Sequence, residues 1–186
     1  GHKPPLFLIH PVGGTLFWYL SLIKHGTFDR PIYGIQDPGL FKTKNEIPFK
    51  TIEEMASAYL NLIRTVQPEG PYLLAGASAG GVISFEIAHQ LLSNAETVAF
   101  LGLFDSWVPH PEKMRRQELF EAVMRRQYHQ MQDNFAALGL DSQESLAKLQ
   151  WQRVQMLDRY EAKKINTQLT LFKALDVISI YQPYED

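Results

Sequence analysis

One serine in this chain is flanked by residues reduced to hydrogen or methyl. Ser78 stands in Gly76-Ala77-Ser78-Ala79-Gly80, after the apolar run Tyr72 to Ala75 and before the helix-like stretch "GVISFEIAHQLL" (81–92). A strand that turns sharply into a helix forces its corner residue into a strained backbone conformation. Side chains two before and two after the corner then collide, so both sites favour glycine, as at Gly76 and Gly80. Such a nucleophile elbow lifts the Ser78 hydroxyl above the sheet edge. It also aims the N-terminus of the next helix at that hydroxyl, so the Ala79 N–H points where an oxyanion would form. The competing reading is a tight strand-to-helix turn with an accidental serine, and the strand before and helix after weigh against it.

Acyl-transfer chemistry at Ser78 needs a second oxyanion donor, a base and an acid. The second donor in this geometry comes from the loop after the first long strand. That loop is "HPVGGT" (10–15), where two glycines let the backbone approach a ligand closely. Val12 is the candidate N–H, with Gly13 second and counted toward substrate binding. The chain order expected for the remaining partners is acid, then histidine. Two acids qualify. Asp105 follows "TVAFLGLF", one strand after the elbow, and Asp176 follows "QLTLFKA", two strands after it. Both sit at carboxyl ends of strands, where sites are built. Asp105 is the better placed, because its apolar run and the following Ser106-Trp107 suit a buried, oriented carboxylate.

The elements that must position these residues alternate. Short apolar runs at 5–11, 31–35, 72–75, 97–104 and 168–174 read as buried strands. Helices are expected at 15–23, 51–66 and 81–92. The second has a capping box, Thr51 with Glu54, and an apolar stripe of Ile52, Met55, Tyr59 and Ile63. Strands alternating with helices predict an α/β fold with a mostly parallel sheet. Residues 111–165 break the rhythm and read as two or three helices inserted between strands, a lid or else an ordinary helical layer.

Composition bounds the rest. The chain has 186 residues, 45% apolar and 20% charged, which suits one globular domain. A net charge of −2 argues against nucleic acid as the main partner. The absence of cysteine excludes disulfides, thiolate metal sites and a cysteine nucleophile. No apolar run approaches the ~18 residues that a membrane span needs, and a cytoplasmic location is expected. Acyl transfer at Ser78 calls for neither a metal nor a bound cofactor, and "HPVGGT" lacks the spacing of a phosphate-binding fingerprint, so no dinucleotide site is expected.

The stretches "PLFLIHPVGGTLFWYLSL", "PIYGIQDPGL", "TIEEMASAYLNLIRTVQPEGPYLLAGASAGGVISFEIAHQL" and "FLGLFDSWVP" resemble the thioesterase domains that end polyketide, fatty-acid and non-ribosomal peptide synthases. The match covers about residues 5–110. It implies an α/β-hydrolase fold with a helical lid at about 111–165, the whole of 1–186 being a single thioesterase domain. It places the nucleophile at Ser78, the oxyanion donors at Val12 and Ala79, and the acid at Asp105. Ala77 and Ala79 depart from the family, which often carries larger residues there; both should open space beside Ser78. The implied reaction releases an acyl or peptidyl chain from the phosphopantetheine arm of a carrier protein, by hydrolysis or cyclisation. A free-standing editing thioesterase, another serine esterase, and a non-catalytic acyl-binding remnant are the alternatives.

A larger departure concerns the base. The family takes its histidine from a Gly-Asp-His-like turn after a further strand. Here the histidines are His2, His10, His25, His89, His110 and His129, all before the last predicted strand. His10 lies in the oxyanion loop and is expected to orient it rather than act as base. The expectation is therefore that a C-terminal strand and helix are missing and that these residues alone are catalytically impaired.

Overall fold

The computed structural model describes residues 3–41, 49–106 and 143–173. Five strands form one sheet in the order β2-β1-β3-β4-β5: β1 Leu6–Ile9, β2 Ile32–Ile35, β3 Tyr72–Ala77, β4 Val98–Phe104 and β5 Thr170–Phe172. Every described pairing is parallel, as the alternation of apolar runs with helices predicts. β1 lies between β2 and β3, so the carboxyl ends of β1 and β3 lie side by side. Ile9 pairs with Gly76 there, and Ala77 with Phe104.

The strands' period-two pattern sorts side chains onto two faces. Phe7, Ile9, Leu74 and Leu101 pack on one face beneath α2 (Ile52–Val66) and α3 (Ala79–Ser93). Leu8, Ala75 and Ala77 face the other way, against Tyr19, Leu16 and Leu22. The predicted stripe of Ile52, Met55, Tyr59 and Ile63 is the buried face of α2. Its cap differs in one detail. Thr51 accepts from the Glu54 N–H as expected, but the Glu54 carboxylate reaches one residue further back, to the Lys50 N–H at 2.8 Å. The stretch predicted as a helix over 15–23 divides into a 3-10 turn, Phe17–Tyr19, and a short α1, Leu20–His25.

Most of the insertion expected at 111–165, its residues 111–142, lies outside the described residues. Its last part forms α4, Gln143–Arg159. Val154, Met156 and Leu157 of α4 are buried, and Met156, Leu157 and Tyr160 join the main core. This helix is therefore a packed layer of the body.

Candidate active site

Ser78 occupies the corner between β3 and α3 with φ 54° and ψ −122°. A serine at a helix N-cap ordinarily has extended backbone and caps an N–H of the first turn. Ser78 does neither: its left-handed corner makes no side-chain cap, so the hydroxyl is not spent on the helix. The glycine pattern has the cause expected. A Cβ on Gly76 would lie 2.1 Å from the Gly80 carbonyl, and one on Gly80 would lie 2.3 Å from the Ile9 oxygen and 2.6 Å from that of His10. A third glycine, outside the elbow pattern, also matters. A Cβ on Gly81 would meet the Ser106 Oγ at 1.9 Å, so the chain after β4 folds tightly onto the first turn of α3. The Ser78 N–H donates to the Phe104 carbonyl at 2.9 Å, tying the corner to β4.

The loop after β1 faces this corner. The Gly14 N–H donates to the Pro11 carbonyl, and Gly14, at φ 79°, accepts from the Asp37 N–H, both at 2.9 Å. That turn leaves the Val12 and Gly13 N–H groups without an acceptor among the described residues. Ala79, the first residue of α3, has an N–H with no intrahelical partner for the same reason as any helix start. His10 is buried beneath the loop. Pro11 offers only a carbonyl, so His10 Nδ1 donates to it at 2.7 Å. Burial outweighs the nearby Asp37 charge and holds the ring's pKa below its usual value, so it is neutral. Nε2 then accepts from the Tyr59 hydroxyl at 2.6 Å. With both nitrogens engaged, His10 positions the loop.

Asp105 ends β4 at φ 45°, and its N–H donates to the Phe172 carbonyl of β5 at 2.7 Å. Since Ala77 pairs with Phe104, Ser78 and Asp105 lie one step beyond the same rung. The expected burial of its carboxylate is not found: Asp105 is exposed. The apolar surroundings go instead to Phe104, which stacks on Phe172 at 4.9 Å, while the left-handed turn carries Asp105 past them. Asp176, the rival acid, lies outside the described residues, as do His2, His110 and His129. His25 ends α1 in solvent, and His89 lies far along α3 beside Glu86.

Two features escaped sequence reasoning. Arg153 of α4 grips Asp37 through Nε and Nη2 at 2.6 and 3.0 Å, and neither side chain reaches solvent. Burial pushes the Asp37 pKa up, but the Arg153 hydrogen bonds and the Gly39 N–H hold it below the usual carboxylate range. The second is Tyr19, whose buried hydroxyl donates to the Ile9 carbonyl at 2.6 Å and accepts from the Ala77 N–H at 2.7 Å. Burial pushes its pKa well above normal, against the lowering effect of the Ala77 N–H, so the hydroxyl keeps its proton. A tyrosine inside an apolar run signals a need for a partner, but nothing local says which.

The chain is similar to known proteins. The model of the thioesterase domain family matches residues 4–176. The chain is 44% identical over 119 residues to the nonribosomal peptide synthetase apvA of Aspergillus terreus, covering 64% of this chain and 12% of that protein. It is 44% identical over 110 residues to a dimodular nonribosomal peptide synthase of Bacillus subtilis, covering 59% of this chain and 4% of that protein. The chain thus spans about a tenth or less of the curated relatives it matches. Among solved structures, the NocB thioesterase domain in covalent complex with a fluorophosphonate nocardicin G analog is similar, with a TM-score of 0.69 and 26% identity. The likeness covers 91% of this chain and 72% of that one.

Proposed function

The chain belongs to the thioesterase domain family, and from that premise we propose that it is a chain-releasing serine thioesterase acting on a carrier-bound acyl or peptidyl thioester. The observation that carries this reading is the Ser78 corner: a serine at an N-cap position, in a left-handed conformation, whose hydroxyl caps nothing. Ser78 Oγ attacks the thioester carbonyl and loses its proton to a base. The carbonyl oxygen becomes an oxyanion held by the Val12 and Ala79 N–H groups, with Gly13 beside the substrate. The tetrahedral intermediate collapses, the carbon–sulfur bond breaks, and the pantetheine thiol leaves with the proton. Water, or a hydroxyl or amine of the chain itself, then attacks the acyl-enzyme and releases an acid or a ring.

Asp105 is assigned as the acid that orients the base. The base is a histidine outside the described residues, since His10 is engaged at both nitrogens. The phosphopantetheine belongs to a carrier-protein partner, in keeping with relatives that are peptide synthetases. No helix among the described residues is long and apolar enough to cross a membrane. A free-standing editing thioesterase or another serine esterase would use the same machinery on a different thioester or ester.

The test is active-site labelling of the full-length protein with a fluorophosphonate. Peptide mapping should place the phosphonyl group on Ser78 alone, and Ser78→Ala should take up no label and form no acyl-enzyme. Labelling that persists in Ser78→Ala would refute the assignment. Absence of labelling in the unaltered protein would favour a non-catalytic acyl-binding domain.

A further inference from the structure

We propose that Tyr19 is a positioning residue for the release reaction, its hydroxyl setting the gap between the two oxyanion donors. The inference rests on the reading of Ser78, Val12 and Ala79 given above.

The sheet itself shows which bond the hydroxyl replaces. The N–H groups of Leu6 and His10 donate toward β2, to Pro31 and Ile35. Alternate residues of a strand bond to opposite neighbours, so Ile9 turns its carbonyl toward β3. Ile9 pairs with Gly76. In a parallel ladder the next hydrogen bond would run from the Ala77 N–H to the Ile9 carbonyl. Here the Tyr19 hydroxyl occupies that rung, accepting from Ala77 at 2.7 Å and donating to Ile9 at 2.6 Å. Two hydrogen bonds meeting at one oxygen span about 4 Å, where a direct rung spans about 3 Å. The strands are therefore wedged apart at the point where each stops.

Each of these strand ends leads into the catalytic machinery. Ile9 leads through His10 and Pro11 to Val12, and Ala77 leads directly to Ser78 and Ala79. The rung thus fixes the loop that carries one oxyanion donor relative to the corner that carries the nucleophile and the other donor. The Ile9 oxygen is also the atom nearest the Cβ position of Gly80. The Tyr19 ring is itself firmly held. It is 2% exposed, packs edge-on against Trp18, and sits in the core cluster with Leu8, Ala75 and Ala77. Without the hydroxyl, the rung either closes to a direct bond or opens with both groups unpaired. Either way the donors move relative to each other, and misplacement by about 1 Å costs on the order of 10²-fold in rate.

The experiment compares Tyr19→Phe, Ser78→Ala and the unaltered full-length protein. Each is assayed for turnover of an acyl-pantetheine thioester, affinity for an alkyl boronic acid that forms a tetrahedral adduct with serine, and thermal unfolding. Tyr19→Phe should lower kcat about 10- to 100-fold, weaken the boronic acid by a similar factor, and leave KM within about threefold, at a temperature where it is folded. A lower Tm with kcat and boronate affinity unchanged makes Tyr19 merely structural and overturns the proposal. If Tyr19→Phe does not fold, 4-aminophenylalanine placed at residue 19 keeps a donor for the Ile9 carbonyl but removes the good acceptor for the Ala77 N–H, because the aniline lone pair is delocalised into the ring. It should lower kcat several-fold, and an unchanged kcat overturns the proposal equally. Turnover surviving in Ser78→Ala overturns the nucleophile assignment and this inference with it. Loss in Ser78→Ala beside normal turnover in Tyr19→Phe overturns this inference alone.

Discussion

Replacing Gly80 with alanine isolates the geometry of the proposed oxyanion hole without altering any group assigned to the reaction. The added Cβ would lie 2.3 Å from the Ile9 oxygen and 2.6 Å from the His10 oxygen, both backbone atoms. Ordinary contact begins near 3.4 Å, so the loop and the first turn of α3 must separate by about 1 Å. Neither contact is the far end of a flexible side chain, so no rotamer change relieves it. The movement separates Ile9 and His10, which lead into the Val12 loop, from the first turn of α3, which carries Ala79. Losing one oxyanion donor costs about 10²–10³ in kcat, and a misplacement near 1 Å about 10². Gly80→Ala should therefore lower single-turnover acylation of Ser78 by about 10²-fold, with substrate binding little changed. The overpacking should cost about 1–3 kcal/mol of stability. The assay is rapid-quench measurement of acyl-enzyme formation on an acyl-pantetheine thioester, with denaturant unfolding to establish the folded fraction. A folded Gly80→Ala enzyme that acylates at the unaltered rate would show that the β1 loop supplies no oxyanion donor.

Further substitutions at Ser78, Asp105, Asp176 and Arg153 test the corner and its surroundings. Ser78→Gly should be more stable than Ser78→Ala by about 1 kcal/mol, because a non-glycine residue in this left-handed corner carries about 1–3 kcal/mol of strain; calorimetry should read it as about 2–4 °C in Tm, and equal midpoints refute the strain. Asp105→Asn should lower turnover on the order of 10⁴-fold and Asp176→Asn little, and steady-state kinetics in the reverse order would move the acid to the later strand. Arg153→Met should cost about 3–5 kcal/mol at neutral pH by leaving the Asp37 carboxylate buried and unpaired, as urea unfolding would measure. The pH dependence has a definite sign. His10 has a lowered pKa when folded, so the unfolded chain binds the extra proton, and stability falls as pH drops below about 6.5. Asp37 is also lowered, so its contribution is present above about pH 4 and is lost as pH falls through its folded value. Unfolding free energies that rise between pH 7 and 5 would contradict the neutral, buried His10.

Local sterics and periodicity control the parts of this protein that were legible in its residues. G-A-S-A-G between an apolar run and a helix specifies the corner, because Gly76 and Gly80 meet there within one turn and any side chain would collide. The stripe Ile52, Met55, Tyr59, Ile63 specified the buried face of α2, and the alternation of elements specified a parallel sheet. Pairings between distant segments were decided only in the tertiary structure. Asp37 and Arg153 are 116 residues apart, so neither has its partner nearby in the sequence. Asp105 reads as buried from its apolar run, yet it is exposed where the chain leaves β4 with a positive φ. Tyr19 reads as one more apolar residue of a short helix, yet its hydroxyl fills a rung between β1 and β3. A hydrogen bond's partner is set by which strands become neighbours and where their ladder ends. Neither is encoded within the few residues around a tyrosine, and both are settled only when the crossover brings β1 beside β3.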